Sequence, residues 1–103
     1  MPINRDDFFF MLGLAMRSGN LTLGESGVHK AISSGTAKLV LVDEAASENT
    51  KKKYRDSCTF YNVQLLLTSA DRLGQSIGKP GRMSAAVAAG PLCERLMQLA
   101  QQE

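Results

Sequence analysis

The chain has 103 residues, 44% of them hydrophobic and 21% charged, with a formal net charge of +2. That length suits one domain burying about two-thirds of its unfolded surface, and the balance is globular, not disordered. No apolar run approaches the roughly 20 residues that span a bilayer; the opening MPINRDD does not read as a signal peptide, and the small net charge does not force a general polyanion-binding role.

In chain order, Asn4 with Asp7 three residues on predicts an N-cap, opening a helix through about Arg17. Phe8, Leu12, Ala15 and Met16 recur at helical spacing, and Phe9 and Met11 widen the stripe. Ser18-Gly19-Asn20 ends that helix. Leu21-Thr22-Leu23 reads as a short strand suited to a sheet edge. Gly24 then opens a second helix from about Glu25 to Ser34, with Val28, Ala31 and Ile32 inward. Lys38 to Val42, KLVLV, has the pattern of an interior strand covered on both faces.

Ser47 predicts the cap of a third helix, with Tyr54, Cys58 and Tyr61 inward and Lys51, Lys52, Lys53 and Arg55 as a solvated cluster. Asn62 stops it before a strand from Val63 to Leu67. Ser69 predicts the cap of a short fourth helix ending at Gly78, with Leu73 and Ile77 inward. After the Lys79-Pro80-Gly81-Arg82 turn comes a strand from Met83 to Ala88. Gly90-Pro91 opens a last helix, whose buried face is expected to carry Leu92, Leu96, Leu99 and Ala100. The alternation predicts one domain over residues 1–103. Its class is α/β: a three-layer α/β/α sandwich with a small mixed sheet of about four strands.

Signals for catalysis are weak. His29 is the only histidine, and no Ser or Cys has an obvious His and carboxylate set. Cys58 and Cys93 stand far apart without a CxxC pair, so no metal or cofactor is expected. Both cysteines fit reduced thiols in a cytoplasmic protein. Asp43 and Glu44 end the buried strand, where α/β folds often place sites, yet the plainer reading is that Asp43 orders the loop leading to Ser47. Gly24-Glu25-Ser26-Gly27 lacks Walker spacing. The chain is not expected to be an enzyme.

Binding is the stronger reading. A helix N-terminus offers unpaired N–H groups to phosphate or base edges. Gly24 allows close backbone approach, Gly27 removes a side chain, Ser26 adds a hydroxyl, and Lys30 lies one turn further on. Lys79 and Arg82 are expected to flank the same end of the sheet, forming a clamp. The plainer alternative gives Gly24 and Gly27 to a tight turn and leaves Lys30 solvated.

LGLAMRSGNLTLG from Leu12 to Gly24, Gly35-x-Ala37-Lys38-Leu39-Val40, and Leu73-Gly74 followed by Gly78-Lys79-x-x-Arg82 occur in that order. The set resembles the ribosomal family that includes the large-subunit proteins seven-Ae and thirty-e, and within it the small bacterial YlxQ-like members. The resemblance covers nearly the whole chain. It implies a non-catalytic, ribosomal-protein-like RNA-binding module for kink-turn or similarly bent RNA, with ribosomal particles as possible partners, no membrane, and a monomeric free state. The implied RNA-binding residues are Gly24, Glu25, Ser26, Gly27, Lys30, Arg17, Lys79 and Arg82. The family's archaeal pattern Gly-x-Asn-Glu-x-x-Lys is matched at Gly24 and Lys30, whereas Ser26 replaces Asn and Gly27 replaces Glu. Each lost base contact lowers discrimination by about 1–3 kcal/mol. These departures keep a second reading open: a ribosome-associated protein-interaction domain that has lost specific RNA recognition.

Overall fold

The computed structural model describes residues 2–102. Among them, helices and strands alternate: α1 Asp6–Arg17, β1 Leu21–Leu23, α2 Glu25–Ser33, β2 Ala37–Asp43, α3 Glu48–Tyr61, β3 Gln64–Thr68, α4 Arg72–Ser76, β4 Ser84–Ala88 and α5 Pro91–Gln101. The strands form one sheet in the order β1-β4-β2-β3. β4 runs antiparallel to both neighbours, and β2 and β3 are parallel, as a helical crossover requires. The sheet is therefore mixed, with β2 inside it and the short β1 at an edge, as their sequences predict.

Side-chain alternation along β2 and β4 creates the three layers. Leu39, Leu41, Ala85 and Val87 face one side, against Phe8, Leu12, Leu73, Leu96 and Leu99 of α1, α4 and α5. Val40, Val42 and Ala86 face the other, against Val28, Ile32, Tyr54 and Cys58 of α2 and α3. A one-residue slip of β2 would exchange the two cores, so each fixes the register of the other. At the end of α3, Asn62 takes the left-handed conformation (φ 58°), and the Val63 N–H returns to the Cys58 carbonyl at 2.8 Å. That bond closes the helix and turns the chain into β3.

Several local expectations are corrected. The residue flanking α1 is Arg5, without a side-chain cap. Asn4 instead accepts from Arg72 Nη1 through its carbonyl and its Oδ1, at 3.3 and 3.1 Å. Arg5 holds Asp7 at 2.8 and 2.9 Å, and that hydrogen bond lowers the Asp7 carboxyl below its usual range. Ser69 does not cap α4; Asp71 occupies that position in a left-handed conformation. Lys51 turns inward from its cluster, 7% exposed, to meet Glu48 at 3.1 Å and Glu44 at 3.6 Å. Tyr61 is 45% exposed rather than inward, because Tyr54 and Cys58 already fill the space over β2 and β4. On α5 the buried seam runs through Cys93, Leu96 and Leu99, leaving Leu92 half-buried.

Cys58 and Cys93 are both free and buried. Burial pushes the Cys58 thiol up from 9.0 to about 11. Between those values the unfolded chain releases a proton that the folded chain keeps, so stability is full below pH 9 and falls as pH rises. The expected loss by pH 10.5 is about 2 kcal/mol. Urea midpoints near pH 8 and near pH 10.5 test this: Cys58→Ala should show a shallower fall than the parent chain, and equal falls would contradict it.

Candidate nucleic-acid interface

At one end of the sheet, the starts of α2 and α3 and the loop before β4 surround a hollow of about 240 Å³. Gly24, Glu25, Ala46, Ser47, Thr50, Gly81, Arg82, Met83 and Ser84 line it. Gly24 precedes α2 with φ 87°, a conformation that a side chain would strain, and it brings no side-chain cap. The first-turn amides of α2 therefore have no side-chain partner from the cap position. Gly24 lies under Arg82: a Cβ built there would stand 3.6 Å from Arg82 Nη1. The two are far apart in sequence and are joined by the pairing of β1 with β4, which sets Leu23 beside Ala85.

α3 enters the same hollow from the other side. Ser47 Oγ accepts the Thr50 N–H at 3.1 Å and donates to Thr50 Oγ1 at 3.0 Å, fixing the hydroxyls at the rim. Glu44 and Glu48 would make this helix start a bare acidic spot, but the buried Lys51 ammonium sits between them. The Glu48 hydrogen bond, with the nearby Glu44 charge, raises the Lys51 pKa and keeps it cationic. Below the hollow, the Tyr54 hydroxyl and Ser84 Oγ share a buried hydrogen bond of 2.8 Å. The His29 ring stacks on Tyr54 with centroids 4.4 Å apart, tying α2 to α3. His29 is thus a packing residue joining the two helices that open the site.

The late loop is held by α4. Its turn closes through the Arg82 N–H to the Lys79 carbonyl at 3.1 Å, with Pro80-Gly81 at the centre. Gly74 faces that turn so closely that a Cβ would meet Lys79 O at 2.7 Å, Gly81 N at 3.0 Å and Arg82 N at 3.2 Å. All three are backbone atoms, so the loop would have to move. Gly74→Ala should lower stability by about 1–3 kcal/mol and displace the Gly81 and Arg82 amide resonances. A variant that melts with the parent and leaves those resonances in place would refute this packing.

Not every residue singled out in the sequence meets at the hollow. Gly24, Glu25 and Arg82 line it together. Ser26 and Lys30 are exposed on α2 beyond its rim, and Lys79 is exposed on the turn next to Arg82. Gly27 has a packing reason, since a Cβ there would stand 3.1 Å from Thr22 Cγ2 of β1. Arg17 folds back along α1, its Nη1 3.8 Å from where a Gly13 Cβ would lie, beside α4. The sequence reading missed Ser47, Thr50, Met83 and Ser84 as lining residues; the Ser47 cap signal was visible, but its meeting with Gly24 depends on the sheet order. Among the described residues no group of three or more His, Cys, Asp or Glu could hold a metal ion, and no helix is long and apolar enough to cross a membrane.

The α/β/α sandwich and the family profile place the chain in a class of small ribosomal-type proteins. The chain belongs to the Ribosomal protein L7Ae/L30e/S12e/Gadd45 family, whose profile matches residues 7–95. It is 42% identical over 94 residues to RNA-binding protein YlxQ of Bacillus subtilis, covering 90% of this chain and 94% of that protein. It is 34% identical over 84 residues to large ribosomal subunit protein eL30 of Tetrahymena thermophila, covering 80% and 81%. A protein with unknown function from Bacillus halodurans C superposes with a TM-score of 0.88 at 32% identity, over 94% of this chain and 99% of that one. The Giardia lamblia 15.5kD RNA binding protein superposes with a TM-score of 0.78 over 99% and 92%, and at 13% identity it shares the fold alone.

Proposed function

We propose that this protein is a non-catalytic RNA-binding module that grips kink-turn or similarly bent RNA at the hollow between α2, α3 and the loop before β4. The observation that carries this reading is the convergence of Arg82 on Gly24, beside the uncapped start of α2. Amides and a guanidinium suit phosphate and base edges, and two helix starts with a basic loop offer a concave contact for RNA read by its shape. Relatives described as RNA-binding at 42% identity support the same direction.

Lys30, Lys79 and Arg82 supply the cations, with Glu25 lining the hollow, the exposed Ser26 hydroxyl adding a contact beyond its rim, and Gly27, packed on Thr22, leaving the first turn of α2 without a further side chain. Arg17 contacts RNA only where the strand continues past α4. The protein acts as one domain in the cytoplasm, monomeric until it meets RNA or ribosomal particles. Few phosphates are neutralised, so the logarithm of affinity should fall with that of salt at a slope of roughly −2 to −4.

Titration of the full chain with a kink-turn RNA and with a straight duplex of equal length, at moderate salt, tests the proposal. The bent RNA should bind at least about tenfold more tightly. Equal affinity would remove specific recognition and favour the protein-interaction reading.

A further inference from the structure

A second feature of α3 lies outside the hollow. Phe60 is 80% exposed and Tyr61 45%, and their rings meet edge to face at 4.8 Å. Two adjoining exposed rings form a contiguous apolar patch of the kind that marks contact sites. Asn49, Lys53, Asp56 and Phe60 fall at i, i+4, i+7 and i+11, so they share one outer stripe of the helix, on which the Asp56 charge is offset by Lys52. Lys52 is engaged with Asp56 at 2.8 Å. Lys53 has no carboxylate partner among the described residues, and Lys38, which lines a small hollow with Tyr61 and Asn62, has none either.

An aromatic pair with one partnerless lysine two turns back along its helix and another beside Tyr61 has the chemistry of a single-stranded nucleic-acid track: bases stack on the rings and phosphates meet the ammonium groups. The stripe begins at the α3 start that borders the hollow and ends at Phe60. A 14-residue helix is about 21 Å long, the span of about six stacked nucleotides at 3.4 Å each. We infer that the outer face of α3 guides a single-stranded extension of the RNA held in the hollow, with Lys53 on its backbone and a base stacked on Phe60 beside Tyr61. This inference rests on the proposed RNA-binding function and adds a second contact to it. A protein partner would use the same aromatic rings, but the flanking unpaired cations favour a polyanion.

The test titrates one kink-turn RNA in three forms: blunt, with a single-stranded uridine tail of about ten nucleotides on its 5′ side, and with the same tail on its 3′ side. One tailed form should bind about five- to tenfold more tightly than the blunt form. Phe60→Ala should abolish that gain while leaving blunt-RNA affinity and melting temperature unchanged; Phe60→Trp should keep it, and Lys53→Ala should reduce it. Equal affinity of all three forms overturns the track while leaving the hollow intact. Loss of the preference for bent over straight RNA would instead remove the underlying reading. If Phe60→Ala leaves tailed RNA unaffected but weakens retention on RNase-treated ribosomal particles, the aromatic pair is a protein contact and the inference is wrong.

Discussion

Asp43→Ala should unfold at far lower urea than the parent chain, with a loss of about 3–5 kcal/mol and little change in slope. Asp43 is fully buried at the end of β2. Its Oδ1 accepts the Ala45 and Asp71 N–H groups at 2.9 and 2.8 Å; its Oδ2 accepts the Leu73 N–H and the Thr68 hydroxyl at 3.1 and 3.2 Å. Removing the carboxylate strands these donors where water cannot replace it, and each orphan is worth about 1–3 kcal/mol. Relaxation and partial hydration keep the total below the simple sum. Asp43→Asn should fall between, because its NH2 would face the Leu73 N–H, which cannot accept. Domains of this size carry about 5–15 kcal/mol, so the alanine variant would approach the unfolding threshold at ordinary temperature. A loss under about 1 kcal/mol would show that the carboxylate is dispensable.

The second large effect concerns binding. Arg82→Ala should weaken kink-turn RNA by about tenfold or more, and Lys30→Ala by a smaller factor across sequences. Arg82 stands over Gly24 at the hollow, where a guanidinium donates in a fixed plane, whereas Lys30 is an exposed point charge one turn along α2. Arg82→Lys should recover only part of the loss. Each removed phosphate contact should flatten the salt slope by about one. Arg82 is exposed, so stability should stay within about 0.5 kcal/mol of the parent, separating binding from folding. If both alanine variants bind within about twofold of the parent, the late loop and α2 do not form the grip.

Periodicity made much of this fold legible. KLVLV carries apolar side chains to both faces of β2, and that alone demands helices above and below the sheet. LTL, short and alternating, suited the edge position that β1 takes, and Asn62 stopped α3 as its left-handed tolerance suggests. Local chemistry misled where a distant residue competed. Asn4 looked like a cap, but Arg72, far along the chain, claims its oxygens. Lys51 looked solvated until the loop after β2 placed Glu44 beside it.

The site divided in the same way. Gly24 and the basic turn stood out in the sequence because glycine and clustered cations are local signals. Ser47, Thr50 and Ser84 did not, since only the order β1-β4-β2-β3 brings them to one rim. Asp43 was legible as a loop-ordering residue, yet its hold on the Asp71 and Leu73 amides, which fixes α4 beneath the late loop, arises from contacts 28 and 30 residues away.

The most direct measurement is a map of backbone amide resonances as blunt kink-turn RNA is added to the full chain. Gly24, Glu25, Ser47, Thr50, Gly81 and Arg82 should shift first and furthest, while Phe60, Met97 and Gln101 stay in place. Shifts confined to the Phe60 and α5 end, or none around Gly24 and Arg82, would contradict the claim that two helix starts and a basic loop hold RNA.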